Sequence, residues 1–157
     1  MVEKLYQERL TRAAAALDAG SPSASVGLSE DAIALDPITG DAYLLAAYGY
    51  LQLEQYGHAK DRAKHAVERQ PSDAYSWQLL GSIYLETGDY LESDQALTKA
   101  IDLGVQTIDQ ALADRAVVRM QLGRSGDALA DARAACKRES ELGCGLVRDL
   151  EARAATR

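Results

Sequence analysis

His58, Asp61 and His65 fall at i, i+3 and i+7 of one stretch of the sequence. Imidazole nitrogens and a carboxylate oxygen are the donors that zinc and its transition-metal neighbours take, so the pattern raises the question of a metal centre. On a helix, however, i to i+7 is two turns, about 10.5 Å of rise, too far for two histidines to share one ion compactly. The chain has 2 histidines in all, so no third can complete a set. The expectation is therefore ordinary solvated side chains on an outer helix face, with no metal and no cofactor.

Nucleophilic chemistry is the other possibility that residue types suggest. A cysteine or serine nucleophile needs a base and a group to orient that base. Neither Cys136 nor Cys144 has a histidine close in sequence. The glycine-flanked serine of hydrolases, the phosphate-binding loop and the dinucleotide fingerprint are all missing. No catalytic residue is assigned, and the chain is read as a non-enzyme.

The elements that would position any site are helices. With 157 residues, 47% of them hydrophobic, the chain can bury a continuous core. It has 3 prolines and no phenylalanine, and its abundant alanine, leucine and charged residues favour helix over strand. No apolar run approaches the roughly 20 residues that span a bilayer, so direct membrane insertion is not expected. The opening "MVEKLYQERLTRAAAALDAG" is charged and helical rather than signal-like, which makes the cytoplasm the default location. Residues 1–108 carry 8 Lys/Arg against 16 Asp/Glu, and residues 109–157 carry 9 against 8. An acidic front repels phosphate backbones, so nucleic acid is excluded as a partner.

A period of 34 residues organises the chain. It aligns Tyr43 with Trp77, Ala47 with Gly81, Tyr50 with Tyr84, Ala59 with Ser93 and Ala66 with Ala100. A further step back pairs Ala66 with Ala32 and Pro71 with Pro37, while the forward step, lengthened to 35, takes Trp77 to Leu112, Gly88 to Gly123 and Ala100 to Ala135. Leu10, Ala13, Ala14 and Leu17 supply the first helix, whose loop to the next is read as one residue short. Within residues 74–87, Trp77, Leu80, Gly81 and Tyr84 form one apolar stripe at i, i+3, i+4 and i+7. Gly88 can end that helix in a left-handed conformation, and Asp89 with Glu92 is a candidate capping box for the next. Leu142, Leu146, Val147 and Leu150 give a final amphipathic helix a single apolar face.

On these residues the chain resembles the tetratricopeptide repeat family, whose W-x2-L-G-x2-Y pattern stands in residues 74–107 and, slightly altered, in 40–73. Arg119 departs from it where Tyr84 stands, and the first repeat lacks its aromatic and its glycine. The resemblance implies an all-α solenoid of antiparallel helix pairs in a right-handed superhelix, nine helices in all. It implies one domain over 1–157, with repeats at 6–39, 40–73, 74–107 and 109–142 and a cap helix over 142–155.

In that family the first helix of each pair lines a groove that holds peptides. Carried over by position, the peptide-binding candidates are Leu44, Tyr48, Leu51, Tyr75, Gln78, Ser82, Leu85, Ala113 and Val117. Relatives that grip acidic chaperone tails use basic residues where this chain has Thr11, Ala15, Leu45, Tyr75 and Leu79, so a clamp for carboxylates is not expected. The spacing of Cys136 and Cys144 resembles the disulfide-linked hairpins of cysteine-rich relatives; two buried free thiols are the equal alternative. A disulfide would place the chain in a periplasmic or other extracytoplasmic compartment.

The function implied is a non-catalytic scaffold or adaptor, bacterial in style, that binds a peptide or helix segment of a protein partner. The alternatives are a self-associating scaffold, hence a homo-oligomer, and the repeat part of a larger enzyme or secretion and assembly complex.

Overall fold

The computed structural model describes residues 1–156. Among them the chain forms nine helices and no strand: α1 (Val2–Asp18), α2 (Pro22–Leu35), α3 (Gly40–Gln52), α4 (Tyr56–Arg69), α5 (Ala74–Thr87), α6 (Tyr90–Asp102), α7 (Ile108–Gln121), α8 (Ser125–Cys136) and α9 (Glu141–Ala155). They fall into two compact units, Met1–Leu79 and Leu80 onward, the division lying within α5. The class is all-α, of helix pairs joined by short turns.

The turns repeat as regularly as the helices. Gly20, Glu54, Gly88 and Gly123 all have positive φ, and each opens the turn after a first helix. In each, the residue after the left-handed one donates its N–H five residues back: Ser21 to Ala16, Gln55 to Tyr50, Asp89 to Tyr84 and Arg124 to Arg119. These are Schellman ends, which satisfy the last carbonyls of a helix and reverse the chain. Gly104 and Glu139 serve the same purpose after α6 and α8. The first loop is not short, because Gly20 stands 34 residues before Glu54, as the period requires.

In the first unit α1 packs on α2 and on α3, α2 packs on α3, and α3 packs on α4. Ala13, Ala32, Ala46, Ala47, Ala59, Ala63 and Ala66 are fully buried, and their small side chains let the helix axes approach closely. Tyr6 supplies the bulk that the first repeat lacks at its aromatic position, packing on Ala32 and Ala42 with Leu10, Ile33 and Leu35 around it. Two equivalent corners are pinned alike: Tyr43 donates its hydroxyl to the Pro37 carbonyl (3.3 Å), and the Trp77 indole N–H goes to the Pro71 carbonyl (2.9 Å).

In the second unit α6 packs on α7, α7 on α8, and α9 on both α7 and α8. A Cβ at Gly81 would lie 2.7 Å from Leu97 Cγ, so glycine there is what admits Leu97. Ser93 ties the same crossing by donating to the Gly81 carbonyl (2.7 Å). Two details differ from expectation. Asp89 does not cap α6 with its side chain; its carboxylate instead accepts from the Thr87 hydroxyl (2.7 Å). In α9, Leu146 and Leu150 are buried, but Leu142 is exposed and stands outside the packed face.

Candidate peptide-binding site

In the first unit α1 and α3, each the first helix of its pair, lie side by side. Residues one turn apart on each, Ala14 with Leu17 and Asp18, and Leu44 and Leu45 with Tyr48, line a cleft of about 270 Å³ that Tyr75 completes. Tyr48 is 37% exposed and Tyr75 47%, more than any other tyrosine or tryptophan of this unit. Among the described lining residues, Asp18 alone carries a charge.

Of the groove candidates in this unit, Leu44, Tyr48 and Tyr75 therefore share one cleft. Leu51 is half-buried one turn on and does not line it. Gln78 is a correction: at 6% exposed it is covered, unlike Tyr75 one turn before it, and does not line the cleft. Ala14, Leu17, Asp18 and Leu45 were missing from the candidates. The signal for the first two lay in the period, since Ala14 and Leu17 stand 34 residues before Tyr48 and Leu51.

In the second unit the candidates come apart. Ala113 is 1% exposed, packed with Leu112 and Ala135, and cannot meet a peptide. Val117 packs on Ala116, Ala132 and Leu146, the last from α9, so the terminal helix takes up this surface. Leu85 and Ser82 are half-buried, and Ser82 donates to Asp114 (3.3 Å). Burial pushes the Asp114 carboxyl above the usual carboxylate range; the Ser82 hydrogen bond opposes this, and the charge of Glu86 adds to it. A second cavity, of about 400 Å³, is lined by Met120, Gly123, Ser125, Leu150, Arg153 and Ala154.

The residues first considered for chemistry have other occupations. His58 stacks on Tyr50 at 5.1 Å between ring centroids, and His65 lies against Tyr43 at 5.3 Å, so each ring seats on a different tyrosine of α3. No group of three or more metal-ligating side chains gathers among the described residues. Cys136 and Cys144 are joined as a disulfide with 4.6 Å between their Cα atoms, tying the end of α8 to the start of α9. An ion network on α6, α7 and α8 left one mark in the sequence, the arginine at position 119. Arg115 donates twice to Asp131, Arg119 donates to Asp131 and Asp94, and Arg124 reaches Asp94, each at 2.8 Å. It explains why arginine replaces the tyrosine of the pattern at position 119: Arg119 fills an interior position that Asp94 and Asp131 neutralise.

Comparison with known proteins follows the same lines. The family model described as tetratricopeptide repeat matches residues 74–103. No curated protein matches the sequence. Among solved structures, pilF of Pseudomonas aeruginosa superposes with a TM-score of 0.85 at 16% identity, covering 99% of this chain and 71% of its own. MamA superposes at 0.78 with 19% identity, over 85% of this chain and 78% of that one. The second TPR domain of human RPAP3, solved in complex with the HSP70 peptide SGPTIEEVD, superposes at 0.70 with 16% identity, over 76% and 98%. At these identities the likeness is one of fold.

Proposed function

From the premise that this chain is a tetratricopeptide-repeat protein, we propose that it is a non-catalytic interaction adaptor that holds a peptide or helix segment of a partner protein in the cleft between α1 and α3. One observation carries this reading: Tyr48 and Tyr75, the most exposed aromatics of the first unit, converge on an apolar cleft instead of packing into the core. Rigid aromatic rings bring large contact area at little entropic cost, which is why they anchor protein interfaces. Peptide capture is also what the RPAP3 domain, similar in fold, does with its HSP70 peptide. That peptide ends in acidic residues, whereas the lining here has a carboxylate and no Lys or Arg, so an acidic tail is not the occupant proposed.

The test is affinity capture from native lysate with the wild type and a Tyr48→Asp/Tyr75→Asp variant. Circular dichroism of both proteins establishes that the variant keeps its helicity and melting temperature, so that lost capture reports binding and not unfolding. Its partner should bind at least about tenfold more weakly, as expected when two central anchors are lost. Capture that is unchanged in a folded double variant overturns the reading.

A further inference from the structure

We infer that the segment held in this cleft is apolar with a lysine or arginine beside its apolar anchors, the cation seated on Asp18. The inference rests on the cleft being a peptide site and adds the chemistry of its occupant. Asp18 is the last residue of α1, where the helix's free carbonyls already concentrate negative potential. The last turn of α1 has no basic residue to offset it. Asp18 is exposed and makes no hydrogen bond or ion pair among the described residues, although it borders apolar surface. Three arginines of the first unit are engaged with other carboxylates: Arg9 with Asp31, Arg12 with Glu8 and Arg62 with Glu30.

The surroundings point the same way. The first unit carries 7 Lys/Arg against 11 Asp/Glu, and no Lys or Arg lines the cleft. A carboxylate beside two exposed tyrosine rings suits an arginine or lysine in particular. The aliphatic stem lies along the apolar wall, the cationic head meets the carboxylate, and the ring faces attract the same charge. An acidic segment would meet repulsion from the helix end and from Asp18 together.

A random dodecapeptide library displayed on phage tests this with three baits: wild type, Asp18→Lys, and Tyr48→Asp/Tyr75→Asp. The Asp18→Lys variant folds, because a cation at a helix C-terminus is favoured. Clones that bind wild type and not the tyrosine variant should pair apolar residues with Lys or Arg, at about threefold the frequency in the unselected library, as one exposed ion pair allows. On the Asp18→Lys bait the preference should reverse toward Asp and Glu. Clones that depend on the tyrosines but show no charge preference, or keep it on Asp18→Lys, overturn this inference and leave the cleft reading standing. If no clone distinguishes wild type from the tyrosine variant, the cleft reading falls and this inference with it.

Discussion

Ser25 and Ser93 stand two periods apart, both fully buried on the second helix of their pair, yet their hydroxyls fare differently. Ser93 donates to the Gly81 carbonyl, while the Ser25 hydroxyl meets no partner among the described residues. A buried hydrogen bond contributes about 1 kcal/mol net, whereas a buried hydroxyl left without a partner costs a similar amount. Ser93→Ala should therefore destabilise by about 1 kcal/mol and Ser25→Ala stabilise by about as much, read from urea unfolding midpoints. Asp114 gives a pH-dependent counterpart. Its folded pKa is raised by burial, so the stability linked to its protonation is fully present below the ordinary carboxylate pKa and is lost as pH rises through the raised value. Asp114→Asn should be more stable than wild type at neutral pH, and the gap should close on acidification to about pH 4. A gap that stays constant with pH would show that the carboxylate is not desolvated.

At the scale of the helix, α9 is held by a close approach that only glycine permits. A Cβ at Gly143 would lie 2.7 Å from Ala135 Cβ and 2.8 Å from the Cys136 backbone nitrogen, and backbone cannot give way as a side-chain tip does. At Gly145, two residues on, a Cβ would meet nothing within 4 Å. Gly143→Ala should cost about 1 to 3 kcal/mol through overpacking. Gly145→Ala should gain about 1 kcal/mol through helix propensity, so neighbouring substitutions of one type differ in sign in the same unfolding assay. By helix propensity the two glycines are alike, and only the packed partner distinguishes them. The ion network escaped for a related reason. Arg115 and Asp131 are 16 residues apart, and Arg119 and Asp94 are 25 apart, so no helical or strand period connects them.

Across the whole molecule, what could be read in advance is what repeats. Helix pairs and their turns recur every 34 or 35 residues, and a recurring pattern survives the loss of any one member. Tyr6 does not recur; it enters the core one turn ahead of the aromatic position it replaces, and so passed unnoticed. The cleft was legible in Tyr48 and Tyr75, but the burial of Gln78 and Ala113 was not, since neighbouring positions of a half-buried helix differ only in what covers them. The repeat also exposes a flaw: Glu54 holds the left-handed position that Gly20, Gly88 and Gly123 fill in the other turns. A side chain there costs roughly 1 kcal/mol or more, and glycine's extra freedom in the unfolded chain returns part of that. Glu54→Gly should therefore raise stability by about 0.5 kcal/mol, visible as a higher melting temperature.

The chain's 1 tryptophan makes its own corner observable. Trp77 commits its indole N–H to the Pro71 carbonyl and sits two residues from Tyr75, within the unit that carries the cleft. Its emission is thus a signal from a single known place. Opening the corner transfers the indole N–H to water and shifts the fluorescence to longer wavelength. Loosening of the Pro71 corner can be followed optically on the unlabelled protein, without a dye or a tag.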